Sequence, residues 1–103
     1  MCSSDLKLKS ATPTFPSDAN YTAAASEYSC PYLRVFSTGS LSATRDLVIP
    51  ITDGTIYFVS NKTTGGQAIR VIGASGTGVT ISNNKSAWVI CDGSNVNQMS
   101  AEI

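Results

Sequence analysis

Apolar side chains at every second position, between closely spaced turn signals, constrain this chain more than any other feature of its sequence. In 69–71 and 79–81 the apolar residues alternate with Arg70 and Thr80, which is typical of half-buried strands. Segment 87–91 is almost continuously apolar, as in a strand covered on both faces. Turn-forming pairs recur at intervals of roughly 8–12 residues, at Asp53-Gly54, Gly65-Gly66, Ser75-Gly76, Asn83-Asn84 and Asp92-Gly93. Because no interval can hold a crossover helix, we predict an all-β fold of antiparallel strands, a β-sandwich or a small barrel.

The segment 1–20 differs in texture from the rest of the chain. It is polar, and Pro13 and Pro16 prevent a helix from running through it. Its large apolar side chains have no periodic partner face, and an arm of this kind docks along its own domain or onto a neighbouring subunit. We predict an extended N-terminal arm that anchors the protein to a neighbour through Leu6, Leu8 and Phe15. The length of 103 residues allows one domain, and we assign residues 21–103 to a single β domain.

One short helical turn is predicted between the arm and the strands. Segment 22–28 contains three consecutive alanines, which favour a helix. Thr22 or Asp18 can cap its first turn, and Cys30-Pro31 ends it after one or two turns.

Charge and composition exclude several classes of function. The chain has 7 basic and 7 acidic residues, a net charge of zero and no histidine. Zero net charge removes the electrostatic attraction that nucleic acids and anionic membranes require. Without histidine there is no Ser-His-Asp triad, no histidine-ligated metal and no imidazole base. We therefore predict a protein that is not an enzyme, with no catalytic residues, cofactor, metal site, nucleic-acid partner or membrane insertion.

Two sets of residues suggest chemistry, and in both the structural interpretation is the stronger. Segment 73–80 comes within one residue of a phosphate-binding loop, but Val79 stands where the loop needs lysine, and a strand pattern follows it. Asp46 with Asp53, or Asp53 with Asp92, could in principle serve glycoside hydrolysis. Asp53 and Asp92 lie at turn signals, where carboxylates bond to backbone amides.

The aromatic residues divide into two predicted groups. Phe58 and Trp88 lie inside apolar runs, so we predict that they belong to the core. The tyrosines are better candidates for an exposed contact or an intersubunit seam, namely Tyr21, Tyr28, Tyr32 and Tyr57.

The cysteines are odd in number and widely spaced, at Cys2, Cys30 and Cys91. They lack the C-x-x-C spacing of metal and redox sites. We predict that Cys30 and Cys91 act as small buried hydrophobic residues, and the sequence leaves open whether any of the three forms a disulfide.

Several short segments also follow one another in a recognisable order. They are Asp18–Thr22 with Glu27-Tyr28, Leu41–Pro50, Asn61–Ala68, Gly76–Ile81, and Asn84–Ala87 running into Cys91–Val96. In this order they resemble a module of structural proteins of tailed bacteriophages, found mostly in tail-fibre and tail-associated chains.

The resemblance implies a rigid, non-enzymatic protein of the virion, made in the host cytoplasm. It would be a tail or fibre component or a capsid decoration protein. Its implied partners are copies of itself, in a homo-oligomer that could be a trimer, and other virion proteins. The alternative function is an adhesin module that binds a host receptor or a glycan.

Overall fold

The computed structural model describes residues 10–51 and 54–103, where the regular secondary structure is almost entirely β-strand. Within these residues the single helix, α1, has four residues, Ala25–Tyr28. The strands are β1 (Ser10–Ala11), β2 (Thr14–Phe15), β3 (Tyr21–Thr22), β4 (Tyr32–Ser37), β5 (Arg45–Val48), β6 (Ile56–Asn61), β7 (Ile69–Ile72), β8 (Val79–Ile81), β9 (Ser86–Cys91) and β10 (Val96–Gln98). This agrees with the prediction of an all-β fold.

The strands form two sheets that share one hydrophobic core. In the first sheet the order is β1-β4-β6-β9-β10, and β2 also pairs with β4. In the second sheet the order is β3-β5-β7-β8. Both sheets send fully buried side chains into the same cluster, among them Leu33, Val35, Val59 and Val89 from the first and Leu47, Ile69, Val71 and Ile81 from the second. Burial of this apolar area is the main force that holds the two sheets together.

The chain reaches these positions by winding between the sheets. From β3 to β7 each strand lies in the sheet opposite to the strand before it. One full turn of this winding brings Leu33 of β4 beside Val59 of β6, and the next brings Leu47 of β5 beside Val71 of β7. Successive turns run in the same direction, so strands that neighbour each other within a sheet are parallel.

The prediction of an antiparallel fold is therefore wrong for most of the pairings. Five of the eight pairings between the described strands are parallel, and three are antiparallel. Parallel neighbours need a long crossover connection, which is most often a helix. Here a strand of the opposite sheet supplies that connection, so a helix is unnecessary. The turn signals at Gly54, Gly65-Gly66 and Asn83-Asn84 mark passages between sheets and not hairpins.

Two turn signals in the C-terminal part of the chain form the antiparallel hairpins that the sequence predicts. The turn at Ser75-Gly76 joins β7 to β8 as a hairpin, with Ile69 opposite Ile81. The turn at Asp92-Gly93 joins β9 to β10, with Cys91 opposite Val96. β8 thus extends the second sheet next to β7, and β9 and β10 extend the first sheet next to β6.

The predicted arm is not confirmed as a separate segment over residues 10–20. β1 and β2 pair with successive parts of β4, and the Pro13 carbonyl accepts a hydrogen bond from Phe36 N at 2.9 Å. Phe15 is fully buried in the core, so it serves this domain and is not exposed for a neighbour. Leu6 and Leu8 lie outside the described residues. Sequence periodicity missed the docking because strands as short as β1 and β2 cannot show it.

The predicted helical turn is present, but its cap is different from the prediction. The N-cap is Ala24, whose N–H donates to Glu27 Oε1 at 2.8 Å. Thr22 lies in β3, and Asp18 accepts hydrogen bonds from Ser42 N and Arg45 Nε. Those bonds, with the one from Arg45 foremost, hold the pKa of Asp18 well below its usual range.

The bend after β6 requires glycine for two reasons. Gly65 has a φ of +107°, which L side chains rarely adopt. A Cβ at this position would lie 2.3 Å from the carbonyl oxygen of Leu41. The backbone packs this closely because Leu41 N donates to Thr64 O at 2.9 Å.

The part of the chain that winds between the sheets meets the antiparallel C-terminal strands at the buried side chain of Asn61. Its amide nitrogen donates to the carbonyls of Gln67 at 3.1 Å and Ile81 at 3.0 Å. Its amide oxygen accepts from the N–H of Thr63 at 3.1 Å and from the hydroxyl of Thr63 at 2.6 Å. Asn61 has no exposed area, and a buried amide with all its groups satisfied stabilises one specific arrangement. Asn61 thus ties β6 of the first sheet to β8 of the second.

We predict that Asn61→Ala destabilises the protein by about 2–4 kcal/mol, because it leaves buried carbonyl and hydroxyl groups without partners. Urea denaturation followed by circular dichroism measures the effect. The matched control is Asn97→Ala, which removes one exposed hydrogen bond to Asp92 and should cost less than about 1 kcal/mol. Equal losses in the two variants would contradict this role of Asn61.

Candidate functional site

A row of three aromatic rings crosses the outer surface of the first sheet. Tyr32 on β4 is the register partner of Phe58 on β6, and Phe58 is the partner of Trp88 on β9. The ring centroids are 5.5 Å apart for Tyr32 and Phe58 and 4.8 Å apart for Phe58 and Trp88, with tilts of 46° and 45°. Such tilted pairs stabilise each other beyond the area they bury. All three rings are only partly buried.

Aliphatic side chains extend this row into a continuous apolar surface. Ile56 pairs with Ile90 one step along β6 and β9, and Met99 N donates to the Trp88 carbonyl at 2.8 Å. Ile56 is 40% exposed and Met99 is 52% exposed. We call this surface, formed by Tyr32, Ile56, Phe58, Trp88, Ile90 and Met99, the aromatic face.

The polar groups beside the aromatic face are bonded within the chain. The hydroxyls of Ser60 and Ser86 lie 2.7 Å apart and bond to each other, and Ser60 is buried. The guanidinium of Arg34 lies 5.5 Å from the centroid of the Phe36 ring, within the range of a cation–π contact. The hydroxyls of Ser60 and Ser86 are therefore already engaged with each other.

The outer surface of the second sheet has the opposite character. Asp46, Arg70 and Thr80 are register partners across β5, β7 and β8. The guanidinium of Arg70 donates to both carboxylate oxygens of Asp46, at 2.8 and 2.9 Å. Arg70 and Thr80 are exposed. One sheet thus presents charges and a hydroxyl to solvent, and the other presents aromatic rings.

The prediction that Phe58 and Trp88 belong to the core is wrong. An apolar run is typical of a strand covered on both faces, but here only one face of the first sheet packs against the other sheet. Alternate residues of β6 therefore separate: Tyr57 and Val59 are buried, while Phe58 lies on the outside. The period-two pattern identifies the two faces correctly. The pattern does not indicate whether another layer of the protein covers the outer face of the sheet.

The predicted tyrosine contacts have mixed outcomes. Tyr32 lies on the aromatic face, as expected for a contact residue. Tyr57 faces the core at 3% exposure and donates to the Tyr28 carbonyl at 2.6 Å, and burial raises the pKa of Tyr57 to about 12. Tyr21 donates to Glu27 Oε1 at 2.8 Å. Tyr28 lines a separate groove of about 380 Å³ beside Ile49, Pro50 and Ile51.

The residues considered for catalysis hold turns and strands together. Asp92 accepts hydrogen bonds from the N–H groups of Asn95, foremost, and Ser94, which lower the pKa of its carboxyl group. Asp46 is bonded to Arg70, and Asp53 lies outside the described residues. Segment 73–78 is the turn between β7 and β8, which agrees with its interpretation as a glycine turn.

Two of the cysteines lie in the described part of the chain, and both are buried, as predicted. Cys91 is a free thiol, and burial raises its pKa. Cys30 is disulfide-bonded, which answers for this residue the question that the sequence left open.

Residues 10–51 and 54–103 contain neither a metal-ligand cluster nor a membrane-spanning helix. No three His, Cys, Asp or Glu side chains in these ranges come together as metal ligands. None of the helical structure described there is long and apolar enough to span a bilayer. The chain matches no known family model, no curated protein and no solved structure.

We predict that Phe58→Ala exposes the only tryptophan of the chain, because Phe58 covers one side of the Trp88 indole. Trp88 emission should shift to longer wavelength, and iodide should quench it more strongly. The control is Phe36→Ala, since the Phe36 ring lies under the Arg34 guanidinium and the ring that pairs with Trp88 is Phe58. Identical emission in both variants would show that the ring row is not formed in solution.

Proposed function

We propose that this protein is a non-enzymatic structural component of a tailed-phage virion, assembled on the particle surface as a tail or fibre component or a capsid decoration protein. The order of segments from Asp18 to Val96 supports the phage assignment. The aromatic face supports an assembly role, because it offers apolar area that a protein neighbour can cover.

The arrangement of the sheets suits a mechanical role. In this proposal the two sheets act as a β-sandwich whose shared core resists deformation, since close-packed interiors are rigid. The winding of the chain adds to this stiffness, because each strand from β4 to β7 is held by neighbours that are distant in sequence. Such a unit can transmit a contact on one side to a partner on the other.

The alternative function is an adhesin module that binds a host receptor or a glycan. The observation in its favour is the row formed by Tyr32, Phe58 and Trp88, since aromatic rings can stack on sugar rings. Against it, Ser60 and Ser86 bond to each other, and the rings are tilted against one another. The two serine hydroxyls are therefore not free to bond a sugar, and the tilted rings form no flat platform for it.

The proposed function is tested by mass spectrometry of gradient-purified particles from the strain that encodes this chain. We expect the chain to sediment with intact particles in a fixed ratio to the other structural proteins. Immunogold labelling then gives its position on the head or tail. A chain that is abundant in the lysate but absent from purified particles would rule the proposal out.

The arm prediction survives as a proposal for Leu6 and Leu8. We expect the double variant Leu6→Ser/Leu8→Ser to lose incorporation into particles at least tenfold while its melting temperature stays unchanged. The matched control, Lys7→Ser/Lys9→Ser, alters the alternate positions of the same segment and should be incorporated normally. Normal incorporation of the leucine variant would exclude an anchoring role for these two residues.

A further inference from the structure

We propose that the aromatic face binds a proline-rich segment of another protein in the polyproline II conformation, with an acidic side chain of that segment beside Arg34. This inference rests on the proposed function, because it names the chemistry of the neighbour that the face contacts in the particle. It depends on the hydrogen-bond donors that the fold leaves available on the face, on the shape of the ring row and on the charge next to it.

The two outer rings of the row carry polar atoms that the fold leaves available. Tyr32 and Trp88 are half-buried, and within the described residues neither the Tyr32 hydroxyl nor the Trp88 indole N–H has a hydrogen-bond partner. Every buried side-chain nitrogen or oxygen in that part of the chain has a partner, so these two atoms are in contact with solvent. The indole N–H can only donate, and the hydroxyl can donate as well. An occupant that covers the face must therefore supply an acceptor at both ends of the row.

A polyproline II helix offers acceptors at a spacing that fits these two donors. Its carbonyls make no internal hydrogen bonds, and proline has no N–H that would need an acceptor on the face. One turn of three residues rises about 9 Å. Tyr32 and Trp88 stand on β4 and β9, which lie two strand spacings apart, about 10 Å. Two carbonyls on the same side of the helix, one turn apart, can therefore accept from both donors.

The rings form a ridged surface that suits proline. The ring planes are tilted by 46° between Tyr32 and Phe58 and by 45° between Phe58 and Trp88. Tilted rings leave notches between them, and proline-rich segments dock in aromatic-lined grooves. One turn of the helix spans the whole row, so the contact needs only a small area. The polyproline II helix is also preformed, so it loses little conformational entropy on binding.

Arg34 favours an acidic side chain next to the prolines. It follows Tyr32 by two residues on β4, so it lies on the same side of the sheet, and it is exposed. Its guanidinium lies over the Phe36 ring, 5.5 Å from the centroid, while the ion pairs among the described residues involve Arg45 and Arg70. β6 and β9 contain no acidic residue. A carboxylate of the partner is thus the complementary charge for this guanidinium.

The test is titration of the full chain with three blocked ten-residue peptides, followed by the fluorescence of Trp88, the only tryptophan of the chain. The first peptide is oligoproline with one central glutamate, the second has lysine in place of the glutamate, and the third has glycine and serine in place of the prolines. We expect saturable binding of the first with a dissociation constant below about 1 mM, binding of the second that is about fivefold weaker, and no binding of the third. The indole N–H resonance of Trp88 should shift in the NMR spectrum during the first titration.

Conservative variants localise the contact. Tyr32→Phe and Trp88→Phe keep an aromatic ring and remove the donor, so each should weaken binding of the glutamate peptide about fivefold, as measured by calorimetry. Arg34→Gln should abolish the preference for glutamate over lysine. The matched control, Tyr21→Phe, removes a hydroxyl of the second sheet that bonds to Glu27 and should leave the dissociation constant unchanged. Circular dichroism confirms that all four variants fold.

Several results would overturn the inference. They are a wild-type chain that does not bind the glutamate peptide, equal binding of the glycine and serine peptide, or full affinity in both Tyr32→Phe and Trp88→Phe. Equal binding of the glutamate and lysine peptides would contradict the role of Arg34. A soluble glycan that protects Trp88 where oligoproline does not would assign the face to a sugar instead. Particle incorporation is measured separately, so a chain that is found in virions but ignores the peptide contradicts only this inference, and a chain that binds the peptide but is absent from virions contradicts only the proposed function.

Discussion

The buried amide of Asn61 is the interaction on which the arrangement of the two sheets depends. The winding of the chain and the antiparallel C-terminal strands are different kinds of pairing, and they must join without leaving buried polar groups unsatisfied. Asn61 makes that junction, since its side chain bonds to the carbonyls of Gln67, after β6, and Ile81, at the end of β8. Its backbone also bonds to Lys85 and Asn84, in the connection between β8 and β9. An apolar side chain of the same size could fill the space but could not bond to those carbonyls.

The winding also explains why the protein has two such different surfaces. A chain that passes between two sheets builds one shared core and leaves both outer faces uncovered. The chemical character of each outer face is then set by the outward-pointing residues of its own strands. In the second sheet these residues satisfy each other through the bidentate pair of Arg70 and Asp46. In the first sheet they are aromatic rings that cover only part of each other's surface. Phe58 and Trp88 therefore keep apolar area in contact with water.

The acidic residues that suggest catalysis in the sequence have structural roles in the fold. Asp92 forms the turn that leads into β10, and Asp18 connects the segment before β3 to Arg45 at the start of β5. A carboxylate whose oxygens accept backbone and guanidinium hydrogen bonds stays ionised. It therefore contributes to stability above its usual pKa and loses that contribution as the pH falls toward its lowered value. These groups hold loops in place around the two sheets.

The sequence alone indicates strands at 69–71, 79–81 and 87–91. Where apolar and polar residues alternate, it also indicates the buried side, because a period of two follows from the local geometry of an extended chain. It also indicates the turns at Ser75-Gly76 and Asp92-Gly93, the short helical turn before Pro31, and the burial of Cys91. Tertiary structure alone determines the direction of neighbouring strands, the docking of Phe15 and the outward position of Trp88. These depend on which segments, far apart along the chain, meet in the fold and on how many layers the fold has. The local sequence pattern indicates neither the partners of a strand nor the number of layers, since a strand in a parallel crossover and a strand in a hairpin show the same alternation.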